Sequence, residues 1–150
     1  MKLSQVLEGL KVLKVHGDLQ MDVSDIVYDS RMVTPGSAFV AVRGFETDGH
    51  KYIPQAVAQG AAAVFCEEAP EVEVPYVLVQ DSRKALSLAA RNFFGDPSSQ
   101  LCVIGVTGTN GKTTSTYLLK HLLEETLGAK VGLIGTNGNM IGNESLPSEH

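Results

Sequence analysis

The sequence predicts an α/β chain: a small N-terminal α/β domain, then the first βαβ unit of a truncated parallel-sheet domain. Three observations carry this reading. Short apolar runs alternate with helix-like stretches over the first two thirds of the chain. The stretch Gly95-Asp96-Pro97-Ser98-Ser99 consists of turn formers and reads as a linker, dividing the chain into residues 1–97 and 98–150. Beyond it, residues 101–106 form a continuous apolar run, the pattern of a strand buried on both faces of a parallel sheet.

Taken in order, residues 3–10 suit a short first helix, followed by apolar pieces at 12–15 and 23–28. Pro35-Gly36 marks a turn before the strand-like run at 37–42. A loop over 43–49 precedes a helix near 52–59, with Pro54 in its first turn, where a missing N–H costs nothing. Gly60 ends that helix, and 61–66 and 75–79 read as further strands. Asp81 or Ser82 caps a helix whose Leu86, Ala89, Ala90, Phe93 and Phe94 fall on one stripe. In the second part, a glycine-rich loop leads into a helix from about Lys112 to Leu127 with Gly128 at its stop, then a strand over 130–134. Residues 135–150 read as loop. One βαβ unit cannot bury enough surface alone, so 98–150 is expected to open a larger domain.

Composition narrows the function classes. Twelve Lys and Arg stand against seventeen Asp and Glu, a formal net charge of −5 at pH 7, which speaks against a nucleic-acid backbone as partner. Hydrophobic content of 43% and charged content of 19% are those of a folded soluble chain. No apolar run approaches the roughly 20 residues of a membrane span, and the N-terminus lacks a signal-peptide core, so a cytoplasmic location and no membrane insertion are expected. Cys66 and Cys102 both lie in apolar runs and read as buried, inert thiols.

The chemistry lies in Thr107-Gly108-Thr109-Asn110-Gly111-Lys112-Thr113-Thr114, between the apolar run and the helix. Gly108 and Gly111 allow backbone N–H groups to turn inward around an anion, and the helix N-terminus adds partial positive charge. Lys112 is placed to reach phosphate oxygens, and the Thr113 hydroxyl to hold Mg²⁺. The full phosphate-loop pattern GxxxxGK[ST] would need glycine where this chain has Val106; the shorter Gly-x-x-Gly-Lys-Thr core is intact. A Rossmann dinucleotide fingerprint is absent. Glu144 and Glu149 read as solvated carboxylates rather than metal ligands.

This loop resembles the ATP-binding signature of the Mur ligases and their folylpolyglutamate synthetase relatives. The N-terminal part resembles the UDP-binding domain shared by two of these ligases, through Tyr28-Asp29-Ser30-Arg31, Pro35-Gly36-Ser37-Ala38-Phe39-Val40-Ala41, Gly44, Asp48-Gly49-His50, Ala56 and Gly60-Ala61. Thr109-Asn110 is typical of the ligase that adds the third peptide residue to UDP-N-acetylmuramoyl-L-alanyl-D-glutamate. The alternatives are the ligase that adds D-alanyl-D-alanine and a non-catalytic UDP-sugar-binding module with a vestigial loop.

The resemblance implies that residues 1–97 bind the UDP part of the substrate through Tyr28, Ser30, Phe45, Glu46 and Thr47. It implies that Gly108, Thr109, Asn110, Gly111, Lys112, Thr113 and Thr114 bind ATP, with Lys112 catalytic and Thr113 on Mg²⁺. The implied reaction passes the ATP γ-phosphoryl group to the D-glutamyl carboxylate, and the amine of a diamino acid (meso-diaminopimelate or L-lysine) then displaces phosphate. Family members are about three times as long, so this stretch alone is expected to be inactive. Asp29, Arg31 and His50 read as structural: the first two pairing or capping a turn, His50 opening the next helix.

Overall fold

A computed structural model describes residues 1–44 and 47–146. The chain forms two compact units, Met1–Cys102 and Val103–His150, each taken here by itself.

Unit 1 holds α1 (Leu3–Val6), β1 (Val12–His16), β2 (Ile26–Val27), β3 (Ala38–Val40), α2 (Ile53–Ala58), β4 (Ala63–Cys66), β5 (Tyr76–Val79) and α3 (Ser82–Phe93). Its sheet has the order β1-β5-β4-β3-β2. Strands β2 to β5 are parallel to their neighbours, and β1 closes one edge antiparallel to β5. In β3 and β4 every residue is buried, and the two-residue period of a strand sends alternate side chains to opposite faces. Ala38, Val40, Ala63 and Phe65 join a core with Leu3 and Val6 of α1 and Ala85 and Ala89 of α3. Phe39, Val64 and Cys66 join a second core with Ile53 and Ala56 of α2. That division explains why the sequence shows unbroken apolar runs rather than alternation here.

Local chemistry sets the element ends. Asp81 caps α3, its carboxylate accepting from the Lys84 N–H at 3.0 Å. Pro54 lies in the first turn of α2 as expected. Near its other end, α3 is tied to the chain after α1 by the Asn92 side-chain amide, which donates to the Val6 and Glu8 carbonyls at 3.0 and 2.7 Å. Of the predicted α3 stripe, Leu86 and Phe93 pack on the core, whereas Phe94 follows the helix end and is 61% exposed. The linker stretch contains a 3-10 turn, Pro97–Gln100, and belongs to unit 1.

Unit 2 departs from expectation. Its helix α4 (Lys112–Leu127) matches the sequence reading at both ends. Residues 101–106, however, form no strand, and Leu101, Val103 and Ile104 are 67%, 72% and 53% exposed. Cys102 is therefore exposed rather than buried; Cys66 is buried as expected. The strand after α4, β6 (Gly132–Gly135), pairs antiparallel with β7 (Gly138–Ile141), which pairs with β8 (Glu144–Leu146) in a stretch read as loop. The expected βαβ pairing is thus replaced by a three-stranded meander. A parallel strand needs neighbours at its edges and helices over both faces, and among the described residues 101–106 find no neighbour strand. Strands β6 to β8 are joined by two-residue turns and pair at small loop-closure cost. Among the described residues no helix is long and apolar enough to cross a membrane.

Because Phe65 is fully buried in the β4 centre, Phe65→Ala is expected to cost unit 1 about 3–5 kcal/mol. A shift of that size in the urea midpoint, followed by near-ultraviolet circular dichroism, is the check. A loss below 1 kcal/mol would contradict a core that depends on both faces of β4.

Candidate functional site

In unit 2 the loop before α4 has the backbone an anion cradle needs. Gly111, the residue capping α4, sits at φ 75°, and a Cβ there would meet no atom within 4 Å. The need for glycine is therefore conformational, and the space beside it is open. The first helical bond runs from the Ser115 N–H to the Gly111 carbonyl at 2.8 Å. The N–H groups of Lys112, Thr113 and Thr114 precede it and have no intrahelical acceptor. They lie at the positive end of a 16-residue helix. The Lys112 ammonium folds over the loop, donating to the Gly108 carbonyl and, at 3.4 Å, to that of Thr109. A cation held by loop carbonyls is one that phosphate oxygens could take over.

Thr113 is half-buried in the first turn of α4. Among the described residues no group of three His, Cys, Asp or Glu could hold a metal ion. A Mg²⁺ here would rest on the Thr113 hydroxyl together with nucleotide oxygens and water, which suits an ion that usually takes few protein ligands beside a phosphate. The loop thus fits Mg·nucleotide, with Thr109 and Asn110 among its exposed residues.

In unit 1, Tyr28, Ser30 and Thr47, expected at a UDP site, lie beyond the carboxyl ends of β2 and β3. These strands are adjacent and parallel, in the register Val27 opposite Phe39, so the residues following each strand, Tyr28 and Ala41, emerge at the same end of the sheet. That is where open parallel sheets bind ligands. Tyr28 is 57% exposed. Ser30 is buried, its hydroxyl donating to Gln55 Oε1 at 3.2 Å. Thr47 Oγ1 lies 3.4 Å from the Tyr52 hydroxyl. Phe45 and Glu46 lie outside the described residues. Asp29 caps the 3-10 turn Ser30–Met32 and pairs with Arg31, and His50 lies in the 3-10 turn Gly49–Tyr52 that runs into α2, as the structural reading expected.

Beside this edge lies a polar cluster that sequence reading missed. The His50 ring accepts the Glu67 N–H at Nε2 (2.9 Å) and contacts Asp48 Oδ1 through Nδ1 (2.6 Å). With Nε2 an acceptor, the ring is neutral with its proton on Nδ1. Glu67 Oε1 accepts from both the N–H and the hydroxyl of Ser82, at 2.8 and 2.7 Å. Arg43 Nε lies 3.4 Å from Glu67 Oε2 and 3.6 Å from Asp48 Oδ2, and its guanidinium also contacts Glu68. Arg83 donates through Nε and Nη2 to the Arg43 carbonyl at 3.2 and 3.1 Å.

Charge follows from these contacts. Burial raises the Glu67 pKa, but the two Ser82 donors and Arg43 outweigh it and hold the carboxyl below its ordinary value. Asp48 is lowered chiefly by the His50 backbone N–H. Arg43 is raised, first by Glu68. The sequence signal is faint: these residues are up to forty positions apart and share no local pattern.

Comparisons with known proteins show what the whole chain resembles. A family model described as "Mur ligase family, catalytic domain" matches residues 22–94, and one described as "Mur ligase middle domain" matches 106–150. The chain is 44% identical over 153 residues to the UDP-N-acetylmuramoyl-L-alanyl-D-glutamate–2,6-diaminopimelate ligase of Phocaeicola vulgatus, covering 100% of this chain. It spans only 31% of that relative's length. A solved structure of a ligase of the same description aligns over 98% of the chain and 30% of its own, with TM-score 0.75; at 23% identity this shows the fold. The MurF ligase of Thermotoga maritima, solved in complex with ADP, is 34% identical, with TM-score 0.53, and covers 74% of this chain and 25% of its own.

Glu67 and Asp48 ionise more readily in the fold than in the unfolded chain, so the unfolded state binds more protons in acid. Their stabilisation is present above the ordinary carboxylate values of 4.5 and 3.8 and is lost as pH falls through the lowered ones. Glu67→Gln keeps an acceptor for Ser82 but loses the charge facing Arg43. It is expected to cost about 1 kcal/mol at pH 6 and less at pH 3.5. Urea unfolding at the two pH values checks this, and an equal loss at both would refute it.

Proposed function

The chain belongs to the Mur ligase family, and on that premise we propose that it is the UDP-binding and ATP-binding opening of an ATP-dependent peptidoglycan-precursor ligase. In this reading residues 1–97 bind the UDP end of UDP-N-acetylmuramoyl-L-alanyl-D-glutamate, and residues 98–150 begin the ATP-binding domain. The acceptor carboxylate takes the γ-phosphoryl group, and the amine of a diamino acid displaces phosphate to form the amide. The name borne by the sequence relatives supports 2,6-diaminopimelate over L-lysine as that diamino acid. The setting is the bacterial cytoplasm, where such nucleotide precursors would be built.

The observation that carries the reading is the loop before α4. Three N–H donors without intrahelical acceptors, the positive end of the helix and the Lys112 ammonium lie on this one loop, with open space beside Gly111. Lys112 and these donors hold phosphate oxygens and offset charge growing on the transferred group. Thr113 is the residue that would hold Mg²⁺, an ion that when bound neutralises phosphate charge and orients the nucleotide. Thr109 and Asn110 shape the loop, and Thr114 extends its row of donors. Tyr28 and Thr47, with Phe45 and Glu46, supply the UDP contacts, while the Ser30 hydroxyl is engaged by Gln55.

A D-alanyl-D-alanine-adding ligase is the second reading, favoured by the 34% identity to the Thermotoga maritima structure. The 44% identity over the full chain to diaminopimelate ligases outweighs it.

Titration calorimetry on the 150-residue chain tests both units. UDP is expected to bind saturably; no heat would remove the assignment of residues 1–97. Where Mg·ATP binding is measured, Lys112→Ala is expected to weaken it on the order of tenfold or more, since a charge-assisted contact to phosphate is lost. Unchanged affinity would refute the assigned role of Lys112.

A further inference from the structure

The loop that carries Thr47 is a short stem. Arg43 and Asp48 form an antiparallel bridge, the Gly44 N–H donates to the Thr47 carbonyl at 2.9 Å, and the Gly49 N–H donates to the Val42 carbonyl at 2.9 Å. The stem folds so closely on the end of β3 that a Cβ on Gly49 would lie 2.7 Å from both the N and the O of Val42.

The stem is also tied to elements outside it. His50 accepts the Glu67 N–H one residue beyond β4 while contacting Asp48 in the stem itself. Glu67 in turn holds the N-terminus of α3 through Ser82 and faces Arg43 at the stem base. The Arg43 N–H reaches Ser82 Oγ at 3.4 Å, and Arg83 of the same helix turn grips the Arg43 carbonyl. The stem is thus joined to the end of β4 through the His50 imidazole and to the start of α3 through the Glu67 carboxylate, with Arg83 adding a grip on the stem base. The imidazole is 14% exposed and the carboxylate 20%.

We propose that His50 and Glu67 are positioning residues for the UDP site, holding the Thr47 stem at the sheet edge in its binding-competent orientation. This rests on the reading of unit 1 as the UDP domain. Neither residue touches the nucleotide; both act by keeping the stem in one arrangement. Their loss would lower the fraction of molecules ready to bind and raise the apparent Kd by the same factor.

The test is UDP calorimetry on the 150-residue chain, with thermal midpoints measured alongside. His50→Ala is expected to raise Kd about tenfold, the result of a competent fraction near one tenth. His50→Gln, which can both donate and accept at similar separation, is expected to return Kd to within about threefold of the parent. Val6→Ala, a core change remote from the stem, is expected to lower the thermal midpoint and leave Kd unchanged. Should His50→Ala fail to fold, Ser82→Ala decides, with an expected rise of about threefold from a looser Glu67. An unchanged Kd in the deciding variant, no rescue by glutamine, or an equal rise in Val6→Ala would overturn the proposal. If the parent chain binds no UDP, the domain assignment falls and the proposal with it; parent binding with an unmoved variant sinks the positioning role alone.

Discussion

Unit 1 depends on β3 and β4 being buried on both faces at once. A strand of three or four residues contributes few ladder bonds, so its stability must come from side chains packed above and below it. Phe39 and Phe65 point to opposite cores, and each core needs its own cover: α1 and α3 on one side, α2 on the other. Removing either cover would expose alternate residues of the same strands. The sheet edge that carries the polar cluster is therefore held by two independent packing layers, a firm base for a binding loop.

Glu67 occupies the point where that apolar frame turns polar. It follows directly on β4, whose last residue is still fully buried, and its carboxylate must satisfy the start of α3 while sharing Arg43 with Asp48 and Glu68. Isolated surface ion pairs contribute little, but here the charge is anchored by two short hydrogen bonds at a helix N-terminus. His50 completes the arrangement by using both ring nitrogens, one to the stem and one to the strand end. Two loops and a helix are joined without an additional secondary-structure element.

Much of unit 1 was legible in the sequence because its signals were local. The Asp81 cap, Pro54 in a first turn, Gly60 after α2 and the apolar runs at β3 and β4 each depend on a few neighbouring residues. The ends of α4 were read correctly for the same reason, with Gly111 and Gly128 flanking a helical stretch. What failed was non-local. Residues 101–106 look like a buried strand, but burial requires partners that local sequence does not reveal, and among the described residues they have none. The Arg43–His50–Glu67–Ser82 cluster escaped notice because its members converge only after three parallel strands are laid side by side. Of the expected site residues, Ser30 illustrates the limit: its type suggested an open hydroxyl, whereas the fold buries it against Gln55.

The contrast between the two cysteines has a practical consequence. The Cys66 thiol is sealed in the second core, where burial pushes it up to about 11, while Cys102 stands exposed at the end of unit 1. The thiolate is the reactive form, so at pH 8 only about one Cys66 in a thousand is ionised even before access is considered. An alkylating reagent will therefore consume Cys102 at once and then wait for β4 to open. The slow second event is a clock for the breathing of the central sheet, read by mass without any introduced label.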